Sequence, residues 1–286
     1  MIPSAFDYVR ATSVDEAVGA LSGGGEDAKV ITGGQSLLPL LRTRLAAPSL
    51  LVDCGRIEEM RGVCDAGDAL VIGAATTHHD VLHNPLVREH APLVAITTAT
   101  VADPAIRHRG TFGGSLAHAD PAGDLPAVAI ALDCTMIAAG PGGRRDIAAA
   151  DFFLDYFTTA MDFDEVLVAV RVPKLGPGWG QDYQKFHRTA QSWAIAGVAA
   201  AVRRENGSIA QARVALTNMG PTPVRLAGVE DALSGARASV DEIAAATGGA
   251  ADGTNPTSEV HAQADYRRHL ARVLSRRAVM NAAGIG

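Results

Sequence analysis

The sequence predicts a protein of mixed α and β structure that is divided into two or three subdomains. Two observations predict this class. Segments typical of strands and helices alternate up to Gly55, which indicates a small β–α–β unit. Near the C-terminus, the Asn206-Gly207 turn joins two apolar segments typical of strands, and a long helical stretch follows them. The 286 residues, 48% of them hydrophobic, are enough for several subdomains with their own cores.

The first segment begins with a strand and a capped helix. Ser13 is suited to the N-cap, and Glu16 follows three residues later, as in a capping box. A buried strand then leads into a glycine pair. Pro39 is placed in the first turn of the next helix, where its missing N–H costs little. The three predicted strands of this segment are Phe6–Val9, Ala28–Thr32 and Leu50–Asp53.

The rest of the chain divides at Pro173–Gly180, a stretch rich in glycine and proline that we interpret as a linker. Before this linker, we predict a strand at Ala69–Ala75, a helix from Thr77 and a helical segment at Leu93–Ala102. Three further apolar segments fit either a strand or a helix: Val128–Cys134, Thr135–Ala139 and Val166–Val172. After the linker, we predict strands at Ala194–Arg203 and Ile209–Thr217 and a helix at Tyr266–Met280. We therefore place subdomains at 1–56 and 57–175 and a C-terminal domain at 176–286.

Two glycine-rich loops carry most of the functional information. The first contains Gly33 and Gly34, and the second contains Gly113 and Gly114. Paired glycines let the backbone approach a ligand and present N–H groups to it. Two such loops are typical of a divided anion site, such as the pyrophosphate of a dinucleotide needs. A plain turn between strand and helix is the alternative interpretation of the first glycine pair. Neither loop matches the Walker A or the Rossmann fingerprint.

Charge and composition exclude several classes of protein. A net charge of −6 disfavours a nucleic-acid-binding surface. No apolar run is long enough for a membrane span, and no leader-like segment begins the chain, so the cytoplasm is the expected location. The three cysteines, Cys54, Cys64 and Cys134, form no CxxC motif and are interpreted as small buried hydrophobic residues in a reducing compartment. Because His78 and His79 are adjacent and point in different directions, they suit one metal ion poorly, and no metal site is predicted.

Two carboxylates follow the second loop. Asp120 and Asp124 would repel a pyrophosphate, so we expect them to reach sugar or ribityl hydroxyl groups instead. A turn built by Asp-Pro and Gly-Asp is the alternative for both residues; it stays open for Asp120, and ligand contact is favoured for Asp124. His118 lies close to the same loop and has no evident partner in the sequence.

With these loops and carboxylates, the chain resembles a known family, the FAD-binding medium subunit of molybdenum hydroxylases. The family includes aerobic carbon monoxide dehydrogenases, xanthine dehydrogenases and bacterial N-heterocycle dehydrogenases. The resemblance covers essentially the whole chain and is most specific at 33–39 and 111–115. It implies an α+β fold of the vanillyl-alcohol-oxidase type. In that fold, two α/β subdomains hold FAD between them and a C-terminal α+β domain closes over it.

The resemblance also implies which residues bind FAD. The family's lysine near the flavin matches Lys185, and its apolar residue near the ring matches Leu167. The aromatic residue near the ring matches Trp193, which follows Gln191-Ser192 where the family usually has Gly-Asp. A surface lysine and a core tryptophan are the alternatives. The full predicted set is Val30, Ile31, Thr32, Gly33, Gly34, Gln35, Ser36, Leu37, Thr111, Phe112, Gly113, Gly114, Ser115, Asp120, Asp124, Leu167, Lys185 and Trp193.

For function, the resemblance implies an electron-transfer subunit with FAD in this chain and no catalytic residue of its own. A molybdenum–pterin cofactor is expected on a large partner subunit and 2Fe–2S clusters on a small one, in a dimer of heterotrimers. The alternatives are a self-contained flavin oxidoreductase of the same fold and a subunit that has lost FAD. Carbon monoxide, a purine and an N-heterocycle all remain open as substrates, and the electron acceptor is open as well.

Overall fold

A three-stranded parallel sheet forms the first part of the protein. The computed structural model describes residues 2–286. The elements of this part are β1 (Asp7–Arg10), α1 (Val14–Gly24), β2 (Ala28–Ile31), α2 (Leu37–Thr43) and β3 (Leu50–Asp53). The central strand, β3, pairs in parallel with both β1 and β2. Ser13 Oγ accepts the N–H of Glu16, so the predicted N-cap is confirmed.

A five-stranded antiparallel sheet forms the second part. Its strands are β4 (Val63–Asp65), β5 (Ala69–Gly73), β6 (Thr135–Gly140), β7 (Gly143–Ala148) and β10 (Val166–Pro173), and a separate small hairpin is formed by β8 (Phe153–Asp155) and β9 (Thr158–Thr159). The order of strands in the sheet is β4-β5-β10-β6-β7. The helices of this part are α3 (His78–His83), α4 (Pro85–His90), α5 (Pro92–Ala99), α6 (Pro104–Arg107), α7 (Phe112–Ala117), α8 (Asp124–Ala131) and α9 (Ala149–Phe152). The apolar segment that starts at Val128 therefore belongs to a helix, and the two segments after it are strands.

A four-stranded antiparallel sheet and three helices form the last part. The elements are β11 (Trp179–Phe186), β12 (Ala196–Glu205), β13 (Ser208–Thr217), β14 (Val224–Arg225), α10 (Ala227–Leu233), α11 (Val240–Ala246) and α12 (Ala264–Ala282). Asn206 and Gly207 both have positive φ, at 50° and 82°, as the turn between β12 and β13 requires. The predicted linker is shorter than expected, because β10 extends to its first residue and β11 starts at Trp179.

The first two parts share one hydrophobic core. Helix α1 packs on β3 and also against β10 and β6 of the second sheet, and its buried face consists of Val14, Ala17, Val18 and Leu21. The last part has a core of its own between its sheet and α12. None of the helices within residues 2–286 is long and apolar enough to cross a membrane.

Candidate functional site

The two glycine loops lie side by side where the first and second parts meet. Thr32 Oγ1 and Thr111 Oγ1 are 2.8 Å apart and share a hydrogen bond. A β-carbon at position 33 would collide with the carbonyl oxygen of Arg109, and one at position 114 would lie 2.6 Å from Thr111 Oγ1. Glycine is therefore required at position 33 for the two loops to approach each other, and at position 114 for the turn within the second loop, before any ligand is considered.

The first loop carries a row of unused backbone donors. Within residues 2–286, the N–H groups of residues 33–37 find no hydrogen-bond acceptor. Gly34 has a φ of 72°, a conformation that glycine adopts without strain. Ser36 occupies the N-cap position of α2, yet its side chain makes no capping bond. Since the loop is only half-buried, these donors remain accessible to an anionic ligand.

The second loop differs from the sequence expectation. The N–H groups of residues 112–115 are all bonded within the protein: the first two donate to the carbonyl oxygens of Thr76 and Ala74, each at 2.9 Å, and the next two donate to Thr111. The expectation that both loops present N–H groups to a ligand therefore holds only for the first. In the second loop, Ser115 is half-buried and offers its hydroxyl group.

The remaining residues of the predicted first-loop set surround this row of donors. Val30 and Ile31 end β2, and Leu37 begins α2. The Gln35 side chain donates to the carbonyl oxygen of Gly33 at 3.0 Å. Leu167 lies apart from them, buried in β10 opposite Ala138. Helix α7, which starts in the second loop, packs against β10.

Asp124 and Lys185 meet in a buried ion pair. Lys185 Nζ lies 2.7 Å from Asp124 Oδ2, and both side chains are 4% exposed. Asp124 Oδ1 accepts a hydrogen bond of 2.7 Å from the hydroxyl of Tyr183. Burial raises the pKa of Asp124, while Lys185 and Tyr183 act to lower it. Both carboxylate oxygens thus have protein partners, so contact between Asp124 and a ligand remains a prediction.

Sequence reasoning missed Tyr183. It precedes Lys185 by two positions on β11, so the two side chains share one face of the sheet. The alternation of side chains along a strand could therefore have indicated that Tyr183 lies beside Lys185. Lys185 also donates to the carbonyl oxygen of Thr100, at 3.1 Å, and the surface-lysine alternative for it is therefore wrong.

Asp120 and His118 form a second, partly buried pair. Their side chains approach to 3.9 Å, so His118 has a partner that the sequence did not reveal. Burial raises the pKa of Asp120 and lowers that of His118. The Asp120 carboxylate also accepts the N–H of Ala122 at 2.9 Å, as an Asx turn does, and its contact with a ligand hydroxyl stays a prediction.

Trp193 lies on the surface. It is 53% exposed in the loop between β11 and β12, so the core alternative for it is wrong. Thr189 and Ser192 close this loop with a hydrogen bond between their hydroxyl groups, at 2.6 Å. Contact between Trp193 and a ligand stays a prediction.

A cleft of about 490 Å³ opens next to the second loop, and it reaches Thr76, whose carbonyl oxygen holds that loop. Arg56 and Arg61 line it together with Glu58 and Asp80, so its charges balance. Within residues 2–286, no three His, Cys, Asp or Glu side chains are grouped to bind a metal ion.

Comparison with known families shows which family the chain belongs to. Residues 4–175 match a family described as the FAD binding domain in molybdopterin dehydrogenase, and residues 181–282 match the CO dehydrogenase flavoprotein C-terminal domain. The chain belongs to this family of FAD-binding subunits. The first matched region ends two residues after β10, and the second begins at the third residue of β11.

Relatives of this FAD-binding subunit span its whole length. It is 39% identical to the carbon monoxide dehydrogenase medium chain of Hydrogenophaga pseudoflava, over 99% of this chain and 98% of that one. It is 38% identical to subunit alpha of the 6-hydroxypseudooxynicotine dehydrogenase complex of Paenarthrobacter nicotinovorans, over 99% of this chain and 96% of that one.

Solved structures agree with the fold of the subunit. A chain of the Hydrogenophaga pseudoflava carbon monoxide dehydrogenase superposes with a TM-score of 0.97, covering 100% of this chain and 99% of that one at 39% identity. A chain of quinoline 2-oxidoreductase from Pseudomonas putida 86 gives a TM-score of 0.95 at 34% identity, covering 100% of this chain and 99% of that one. The fold inferred from the resemblance is confirmed.

Proposed function

We propose that this subunit transfers electrons within a three-chain molybdenum hydroxylase, from the iron–sulfur clusters of a small partner subunit, through FAD, to an external acceptor. A large partner subunit carries the molybdenum–pterin cofactor, and the assembly is a dimer of heterotrimers. The family of the chain and the names of its relatives support this proposal, since the relatives are chains of dehydrogenase complexes.

The row of unused N–H groups at residues 33–37 is the observation that best supports FAD binding by this chain. Consecutive backbone donors without internal partners form a concave anion site, which fits the pyrophosphate of FAD. The half-buried hydroxyls of Ser36 and Ser115 add two further donors. Bound FAD supplies the redox chemistry; the protein supplies its binding, orientation and electrostatic environment.

Lys185 is the residue placed to adjust that environment. Its ammonium group has three donors, of which Asp124 and the Thr100 carbonyl use two. The third is available to an acceptor of the flavin ring, and a cation there stabilises the negative charge of a reduced flavin. In this proposal Leu167 packs near the ring, Asp120 reaches a ligand hydroxyl, and Trp193 covers the ring from the surface.

The substrate class remains open. One relative is named for carbon monoxide, another for 6-hydroxypseudooxynicotine, and a structural relative for quinoline. Chains of such similar fold serve complexes with unlike substrates, so similarity of this subunit does not select among them. The cytoplasmic location stays a prediction.

Anaerobic mixing tests the proposal. The purified chain is expected to show flavin absorbance, and this absorbance should not bleach when hydroxylase substrates are added to the chain alone. Adding the two partner chains should restore bleaching, because the substrate site lies on one of them. Bleaching by the chain alone would indicate the self-contained oxidoreductase. Absence of bound flavin after reconstitution with FAD would indicate the subunit that has lost it.

A further inference from the structure

A buried tyrosine holds the carboxylate that pairs with Lys185. Tyr183 is 5% exposed, and its hydroxyl donates to Asp124 Oδ1 while Lys185 Nζ donates to Oδ2, both at 2.7 Å. Asp124 is the first residue of α8 in the second part, and the two donors lie on β11 in the last part. The three buried side chains thus form a polar cluster that connects the second and last parts.

A glycine on the neighbouring strand leaves room for the Tyr183 hydroxyl. Gly197 lies on the adjacent strand β12, and a β-carbon there would come within 2.5 Å of Tyr183 Oη. The absence of a side chain at position 197 therefore leaves the space that the hydroxyl occupies.

The charge that Lys185 presents to a ligand depends on the state of Asp124. An ionised carboxylate at 2.7 Å compensates most of the ammonium charge, whereas a protonated one leaves that charge uncompensated. Burial favours the protonated form of Asp124; the charge and hydrogen bond of Lys185 oppose it most, and the hydrogen bond from Tyr183 opposes it further. Loss of the hydroxyl should therefore increase the positive charge around Lys185.

We propose that Tyr183 is a positioning residue for FAD: it keeps Asp124 ionised against Lys185 and so sets the charge that Lys185 presents to the flavin. The inference rests on the proposed function, because it requires the flavin to lie near Lys185. Reduction adds negative charge to the flavin, so a less compensated Lys185 favours the reduced form.

The test is a double-mutant cycle read out as the midpoint potential of the bound flavin, measured in the FAD-loaded chain. Tyr183→Phe and Asp124→Asn should each shift the potential to more positive values. The double variant should match Asp124→Asn alone, because Tyr183 acts through the carboxylate. Tyr266→Phe is the control: that side chain is 45% exposed and lies outside the Tyr183–Asp124–Lys185 cluster, so the variant should leave the potential unchanged.

A second readout does not require FAD. In infrared spectra of the FAD-free chain, Tyr183→Phe should add the carbonyl band of a protonated carboxylic acid, and the double variant with Asp124→Asn should lack that band. An unchanged potential in Tyr183→Phe, or an equal shift in both backgrounds, would overturn the inference, since a purely structural role acts regardless of Asp124. A wild-type chain that binds no FAD would instead contradict the proposed function, and the infrared result would still test the Tyr183–Asp124 link.

Discussion

Replacing Lys185 by methionine should leave a buried carboxylate without its cation. The Asp124 and Lys185 side chains are each 4% exposed and their charged atoms lie 2.7 Å apart, so water cannot take over the role of the missing partner. Breaking such a pair costs about 3–5 kcal/mol. Because burial already raises the pKa of Asp124, the carboxylate can escape part of this cost by binding a proton. We therefore expect the free energy of unfolding to fall by about 3 kcal/mol at pH 7.

Chemical denaturation of the FAD-free chain measures this loss without a contribution from cofactor binding. Adding Asp124→Asn to Lys185→Met should recover most of the stability, since the double variant buries no unpaired charge. Lys174→Met is the matched control: Lys174 Nζ lies 2.6 Å from Asp65, but that carboxylate is 43% exposed, so the expected loss is much smaller. A loss for Lys185→Met no larger than that of Lys174→Met would refute the reasoning.

Two further predictions concern the loops and their surroundings. Gly33→Ala should weaken FAD binding by about 1–3 kcal/mol, because the added methyl group forces the loops apart; Gly142→Ala, which meets no atom within 4 Å, should leave the dissociation constant from flavin fluorescence unchanged. His78 has a pKa lowered by burial to about 4, so it binds its proton more weakly in the folded chain. Stability should therefore be retained above about pH 6.5 and fall by about 3 kcal/mol as the pH drops to about 4, and His78→Gln should lose this part of the pH dependence in denaturation experiments.

Local signals were sufficient for much of the first part. The Ser13 cap and the strands around it were predicted because each depends on residues close in sequence. The hairpin at Asn206-Gly207 was predicted for the same reason, since its two turn residues must adopt positive φ. The segment from Val128 was ambiguous, because a short, wholly apolar run lacks the periodicity that separates a helix from a strand.

Composition alone could not show that the two glycine loops have different roles. Both contain adjacent glycines, and both were expected to offer N–H groups. In the folded chain, Ala74 and Thr76 supply carbonyl acceptors to the second loop, while no described residue supplies one to residues 33–37. Which amides remain free depends on which strand ends lie beside each loop.

The residue types that carry the proposed function were evident from the amino-acid order: the glycine pairs, the hydroxyl residues beside them, Asp124 and Lys185. Their partners were not. Asp124 and Lys185 are 61 positions apart in sequence, yet their charges meet because α8 packs beside the sheet that contains β11. Composition determines which charges the chain can offer; packing determines which of them compensate one another, because Coulomb energy depends on separation and on exclusion of water.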